Sequence, residues 1–130
     1  MKGTVVAKPN TTALELARIY VEAMANRDVE TIVSISAENV ICISPIGQTT
    51  GIAQFRGFQE GFAQMITRLT TLAVHGDDRQ AVVVYDVETH PVPHTVVAEL
   101  IKVENGKLAS THVIYDATPF AAYMATVQPH

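Results

Sequence analysis

With 130 residues, 48% of them apolar and 17% charged, the chain has the length of one domain. It can bury roughly two-thirds of its unfolded surface, which excludes a disordered polyelectrolyte. Nine basic residues against thirteen acidic ones leave a net charge of −4, so the basic footprint that nucleic acid demands is missing.

Residues 1–10 read as a flexible arm, and residues 1–130 as one domain. Thr12-Ala13-Leu14-Glu15 fits a capping box, in which hydroxyl and carboxylate satisfy free amides at a helix start. The helix that follows sets Leu16, Ile19, Tyr20, Ala23 and Met24 on one face and Glu15, Arg18 and Glu22 on the other. Asn26-Arg27-Asp28 ends it, and Asp28 can cap a second, shorter helix carrying Val29, Ile32 and Val33. Residues 39–44 are β-branched and apolar and predict a strand, followed by a loop marked by Pro45, Gly47 and Gly51. A third helix carries Phe55, Phe58, Phe62, Met65 and Ile66 on one stripe. Gly57 and Gly61 weaken it, and their spacing suggests a close approach by another element. Four strands are expected at about 68–75, 80–89, 94–104 and 108–116, with Asn105-Gly106 as a strong hairpin signal. The tail from Ala117 reads as irregular or briefly helical.

Helix, helix, strand, helix and then four strands predict an α+β domain: a curved, mainly antiparallel sheet wrapped by three helices around a cone-shaped cavity. On the strand at 94–104, Thr95, Val97, Glu99, Ile101 and Val103 share a face, so Glu99 is the one ionisable group among aliphatic neighbours. The opposite face has an apolar middle of Val96, Ala98 and Leu100. A strand greasy on both sides needs cover on both, and a second copy of the chain would supply it. In the last strand Thr111, Val113 and Tyr115 alternate with Ser110, His112, Ile114 and Asp116.

The first residues hold too short an apolar run for a signal-peptide core, and no run approaches the roughly 20 residues of a membrane span. The expectation is a cytoplasmic protein that binds neither membrane nor nucleic acid. Cys42, alone in Val40-Ile41-Cys42-Ile43, reads as a buried inert thiol. His90-Pro91-Val92-Pro93-His94 has an attractive histidine spacing, but its prolines forbid the helix that usually carries such a pair. No metal and no cofactor are expected.

Ala25-Asn26-Arg27-Asp28, Ser44-Pro45-Ile46-Gly47, Gly51 with Phe55 and Phe58, Glu99 through Leu108, and Tyr115-Asp116 together resemble the nuclear-transport-factor-2-like superfamily. The closest branches are the ketosteroid-isomerase-like and SnoaL-like polyketide-cyclase ones, over residues 12–120. The resemblance implies a cone-shaped α+β barrel, often a homodimer through the outer sheet face. Ketosteroid isomerases use a carboxylate base and an oxyanion hole of tyrosine plus a protonated acid. Tyr20 matches the tyrosine and Glu99 the acid, while Ser44 stands where the base belongs. A serine does not abstract a proton unaided, which argues against steroid isomerisation. The cyclase branch uses an acid at the position of Glu99 as a proton carrier in aldol closure. Epoxide hydrolases of this fold use an Asp-Arg-Asp set, and Val113 occupies the place of the second acid.

The expected site therefore has Glu99 and Tyr20 as catalytic residues. Ser44, Phe58, Phe62, Val97, Ile101, Val113 and Tyr115 are expected to bind the ligand. The expected function is binding of an apolar small molecule, with isomerase or cyclase chemistry on a carbonyl compound. The alternative is a non-catalytic homodimeric ligand-binding or accessory module.

Overall fold

The structure is a computed structural model that describes residues 8–127. Of the expected arm, residues 1–7 lie outside the described residues, as do the last three residues of the tail. Helix α1 (Ala13–Ala25) begins where the Glu15 N–H donates to the Thr12 hydroxyl at 3.1 Å. It buries Leu16, Ala17, Tyr20, Val21 and Met24, close to the apolar stripe of the sequence. Arg27 turns the chain at a φ of 56°. The Asp28 carboxylate then accepts from the N–H and the hydroxyl of Thr31, at 3.2 and 2.7 Å, and caps α2 (Val29–Ser34).

Strand β1 (Ser36–Ser44) is longer than its β-branched stretch suggested. The loop expected after it contains a short strand, β2 (Gly47–Thr50), paired antiparallel with β1. Gly51 follows at a φ of 91°, open to glycine but strained for other residues, and starts α3 (Ile52–Met65). Ile66, expected on the α3 stripe, is the first residue of β3 (Ile66–Gly76). Strands β4 (Gln80–Thr89), β5 (Thr95–Glu104) and β6 (Lys107–Ile114) complete the sheet, and α4 (Thr118–Val127) follows.

The sheet runs β2-β1-β6-β5-β4-β3, and only β1 and β6 are parallel. It is a curved, mixed α+β arrangement. Asn105 and Gly106 both take positive φ, 52° and 73°, the backbone that a two-residue hairpin between β5 and β6 requires. A register shift follows at once: Val103 opposes Leu108, but Lys102 opposes Ser110. Beyond it Glu99 stands opposite Val113 rather than His112. Thr111 and Val113 therefore face inward, and His112 faces solvent.

Helix α1 lies across β3 and β4, and α3 packs on β1 and β2. The core between them is built on Leu16, Met24, Ile35, Phe55, Ile101 and Leu108. No helix among the described residues is long and apolar enough to cross a membrane.

The close approach expected at Gly57 and Gly61 is not made. A Cβ on either would meet no atom within 4 Å, because both residues border a cavity. They leave space for something other than protein. Gly57→Ala and Gly61→Ala should each raise stability by up to about 1 kcal/mol, the helix-propensity gain at a position with free space. Urea denaturation checks this, and a loss of stability would mean that the helix is more crowded there than the structure shows.

Candidate binding and acid–base site

A cavity of about 460 Å³ opens between α3, the far ends of β4 to β6, and α4. That volume suits a small organic ligand. Helix α3 contributes Phe58, Gln59, Phe62 and Met65, spaced along one face at helical intervals. The strands contribute Tyr85 and Val87, Thr95, Val97 and Glu99, and Val113 with Tyr115 just beyond β6. Alternation along each strand sends these to the same side. Met24 closes the inner wall, and Ile46, Phe120 and Tyr123 stand at the outer part. The only carboxyl group among these residues is that of Glu99.

Glu99 is buried, yet each of its oxygens is occupied. The hydroxyls of Tyr20 and Thr111 both donate to Oε1 at 2.7 Å. The Tyr85 hydroxyl donates to Oε2 at 2.5 Å. The Gln59 side-chain amide donates in turn to the Tyr20 oxygen at 3.1 Å. Four elements thus converge on one carboxyl: α1, α3, and the two strands flanking β5. Tyr85 and Thr111 reach it because they sit one inward position along from its direct neighbours Val83 and Val113, at the diagonal spacing of adjacent strands.

Burial raises the Glu99 pKa above its ordinary value, and the bonds from Tyr85, Thr111 and Tyr20 oppose the shift without cancelling it. Burial, followed by the charge of Glu99, holds the phenols of Tyr20 and Tyr85 well above their usual range. The same two causes push the buried thiol of Cys42 up to about 12, as an inert thiol should be. Among the described residues no cation stands against the carboxyl; neutral hydroxyls hold it. It can accept a proton or return one without losing its place.

Of the residues expected from the sequence, the structure brings Glu99, Phe58, Phe62, Val97, Val113 and Tyr115 to the cavity. Tyr20 lies behind Glu99 and has no face on the cavity, so its hydroxyl holds the carboxyl rather than reaching a ligand. Ile101 is in the core beneath. Ser44 is outside the cavity: its hydroxyl donates to the Gly47 carbonyl at 3.2 Å and accepts from the Ile46 N–H at 3.3 Å, closing the β1–β2 turn. That turn sends the side chain of Ile46 to the rim instead.

The residues that sequence reasoning missed are Tyr85, Thr111 and Gln59. Alternation puts Tyr85 and Thr111 each on one face of its strand, but their meeting with Glu99 depends on register. Gln59 lies one residue from Phe58 and carries no signal of its own. Asp86 is on the outer face and hydrogen-bonds to His94 Nδ1 at 3.0 Å. Asp86, Glu88 and His94 bring three potential metal-ligand atoms within 4.8 Å of one another. Its members are already engaged, Asp86 in a hydrogen bond with His94 and Glu88 in an ion pair with Arg68 at 4.0 Å.

Comparison with known proteins agrees with this geometry. Residues 17–111 match the model of the SnoaL-like domain. A crystal structure of a protein from Kribbella flavida superposes with a TM-score of 0.83 at 34% identity, over 88% of this chain and 95% of that one. An NTF2-like protein of unknown function from Cytophaga hutchinsonii gives 0.73 at 17% identity, over 85% and 96%. A putative ketosteroid isomerase, also from Kribbella flavida, gives 0.71 at 21% identity, over 79% and 76%. Among curated proteins no match was found. The chain belongs to the SnoaL-like domain family, and it shares its fold with NTF2-like proteins.

Proposed function

We propose that the chain binds an uncharged, mainly apolar carbonyl compound in this cavity and that Glu99 catalyses its isomerisation or ring closure. The observation that carries this reading is the Glu99 carboxyl, the one such group on an apolar cavity wall, gripped by three hydroxyls. The carboxylate takes a proton from the carbon next to the carbonyl, and an enolate forms. In isomerisation the carboxylic acid returns that proton to a different carbon. In ring closure the enolate carbon attacks a second carbonyl, and the acid protonates the resulting alkoxide. Either way Glu99 ends as it began. Tyr85 lines the cavity with its one hydroxyl proton donated to Oε2, so it acts through Glu99. Tyr20 is a positioning residue acting through Glu99. The putative ketosteroid isomerase among the similar structures supports the reaction class only by analogy of fold.

A non-catalytic binding module is the second reading, favoured by the full occupation of both Glu99 oxygens. The two readings separate with 2-tetralone, a neutral bicyclic ketone with acidic C–H bonds beside its carbonyl. The chain should accelerate deuterium uptake from D2O into 2-tetralone at neutral pH. Glu99→Gln should bring the rate down to that of buffer while NMR shifts of cavity residues still report binding. Binding without accelerated exchange in the unmodified chain would establish the binding module; no binding at all would sink both readings.

The pKa direction of Glu99 predicts a stability profile. Its folded value lies above the ordinary one, near 4.5, so the unfolded chain ionises first. Stability therefore falls as pH rises through the ordinary value and levels off once the folded value is passed. Glu99→Gln should remove this decline from urea-denaturation midpoints taken across the range. A decline of the same size in the variant would show that other groups cause it.

The outer sheet face supports a homodimer. Val82 opposes Leu100, Val84 opposes Ala98, and Ala98 opposes Ile114, which makes one apolar patch across three central strands. Val96 is 60% exposed and Ile114 54%. Such a patch is normally covered, and its hydrogen-bonded interior strands suit face-to-face packing with a copy of themselves. Leu100→Lys should shift sedimentation from dimer to monomer at micromolar concentration. A monomer in the unmodified chain would exclude this use of the face.

A further inference from the structure

One polar side chain of the cavity has groups that the network around Glu99 does not use. Gln59, on α3, is only 2% exposed and lines the cavity. It is the one side-chain amide among the lining residues. Its partner fixes which way that amide is turned. The Tyr20 phenol has a single proton, which goes to Glu99 Oε1 at 2.7 Å. The phenol oxygen is then an acceptor, so Gln59 turns an N–H toward it, at 3.1 Å. The amide oxygen and the second N–H are left over, and among the described residues neither has a partner. Thr49 Oγ1 is the only described side-chain atom of its kind that is both sealed from solvent and unbonded, so the Gln59 oxygen is not sealed. A second gap beside Gln59, bordered by Arg27, Val29 and Ile32, has no room even for water. The amide oxygen therefore opens on the main cavity.

We propose that Gln59 is a specificity-determining residue whose amide receives a hydroxyl group of the ligand, the hydroxyl donating to Oε1 and accepting from the remaining N–H. An apolar side chain of similar length would fill the place without leaving a buried oxygen unpaired. The inference rests on the cavity being the ligand site, and it narrows the ligand class from apolar carbonyl compounds to hydroxyketones. Tyr20 joins the two ends of the site, its oxygen accepting from Gln59 and its proton going to Glu99. The ligand hydroxyl is thus recognised two hydrogen bonds away from the carboxyl, a separation that one small ring system spans. Phe58 and Phe62, beside Gln59 on α3, cover the apolar part. A ligand without the hydroxyl leaves the amide oxygen unpaired, which is how a site built for a hydroxyl rejects the analogue that lacks it.

The test is an NMR titration of the full chain with 2-tetralone and with the series carrying one hydroxyl at each free carbon of its aromatic ring. At least one hydroxylated member should bind about tenfold more tightly than 2-tetralone itself. Gln59→Leu, close in size, should weaken that member about tenfold while 2-tetralone binds at least as well as before. A role confined to holding Tyr20 would move every ligand by the same factor, and that result would overturn the proposal. So would equal affinities across the series in the unmodified chain. Gln59→Met gives the same readout if Gln59→Leu does not fold. The readout is binding alone, so the hydroxyl preference can fail while 2-tetralone still exchanges deuterium. Absence of binding by every member would instead remove the ligand site itself, and this inference with it.

Discussion

The arrangement depends on holding a carboxyl group in an apolar interior without a counter-charge. Moving an ionised carboxylate out of water costs several kcal/mol even after relaxation. The chain offsets part of that cost with hydroxyls: Tyr20 and Thr111 on one oxygen, Tyr85 on the other. A lysine or arginine would have made a tighter pair and fixed the carboxylate as an anion. Neutral donors stabilise the anion less, and burial still wins. The group therefore keeps a proton more readily than an exposed glutamate, while its position is set from three directions. That combination suits proton transfer better than an ion pair does.

Much of the fold can be understood as the means of assembling this group. Alternation along the strands makes Tyr85, Glu99 and Thr111 face inward, and the register of β4, β5 and β6 makes them adjacent. Helix α1 brings Tyr20 over the sheet, and α3 brings Gln59 to Tyr20. The rest of α3 is less well packed than its phenylalanines suggest: only Phe55 and Gln59 are buried in it, while Phe58 and Phe62 are partly buried at the cavity. Gly57 and Gly61 continue that open face. A helix devoted to stability would have alanine there. Glycine at both places trades helix propensity for cavity volume.

The two faces of the sheet serve different ends. Inside, bulky side chains meet helices at one end and leave a void at the other. Outside, the apolar residues of β4, β5 and β6 form a continuous patch with a polar cluster, Asp86, His94, Glu88 and Arg68, beside it. Shared fold alone does not carry an activity: structures similar to this one include a putative ketosteroid isomerase and proteins of unknown function. The specific content of this chain is its Glu99 network and its α4 wall.

The sequence by itself determined the order of the first three helices and of the long strands, the β5–β6 hairpin and the place of Glu99 among aliphatic neighbours. These are local properties: caps, turn residues and period-two alternation act over a few residues. It also singled out Phe58, Phe62, Val97, Val113 and Tyr115, which do reach the cavity. Only the tertiary structure decided which polar groups meet Glu99. One extra residue in β6 beside the hairpin turns Thr111 and Val113 inward, where an unbroken ladder would have set His112 opposite Glu99. Nothing local announces that bulge. Tertiary packing also moved Tyr20 behind the site and Ser44 into a turn, and it gave Gln59 a purpose that its neighbours in the chain do not reveal. Contacts between residues 12 to 79 positions apart depend on how whole elements pack, and the pattern within each element leaves that packing open.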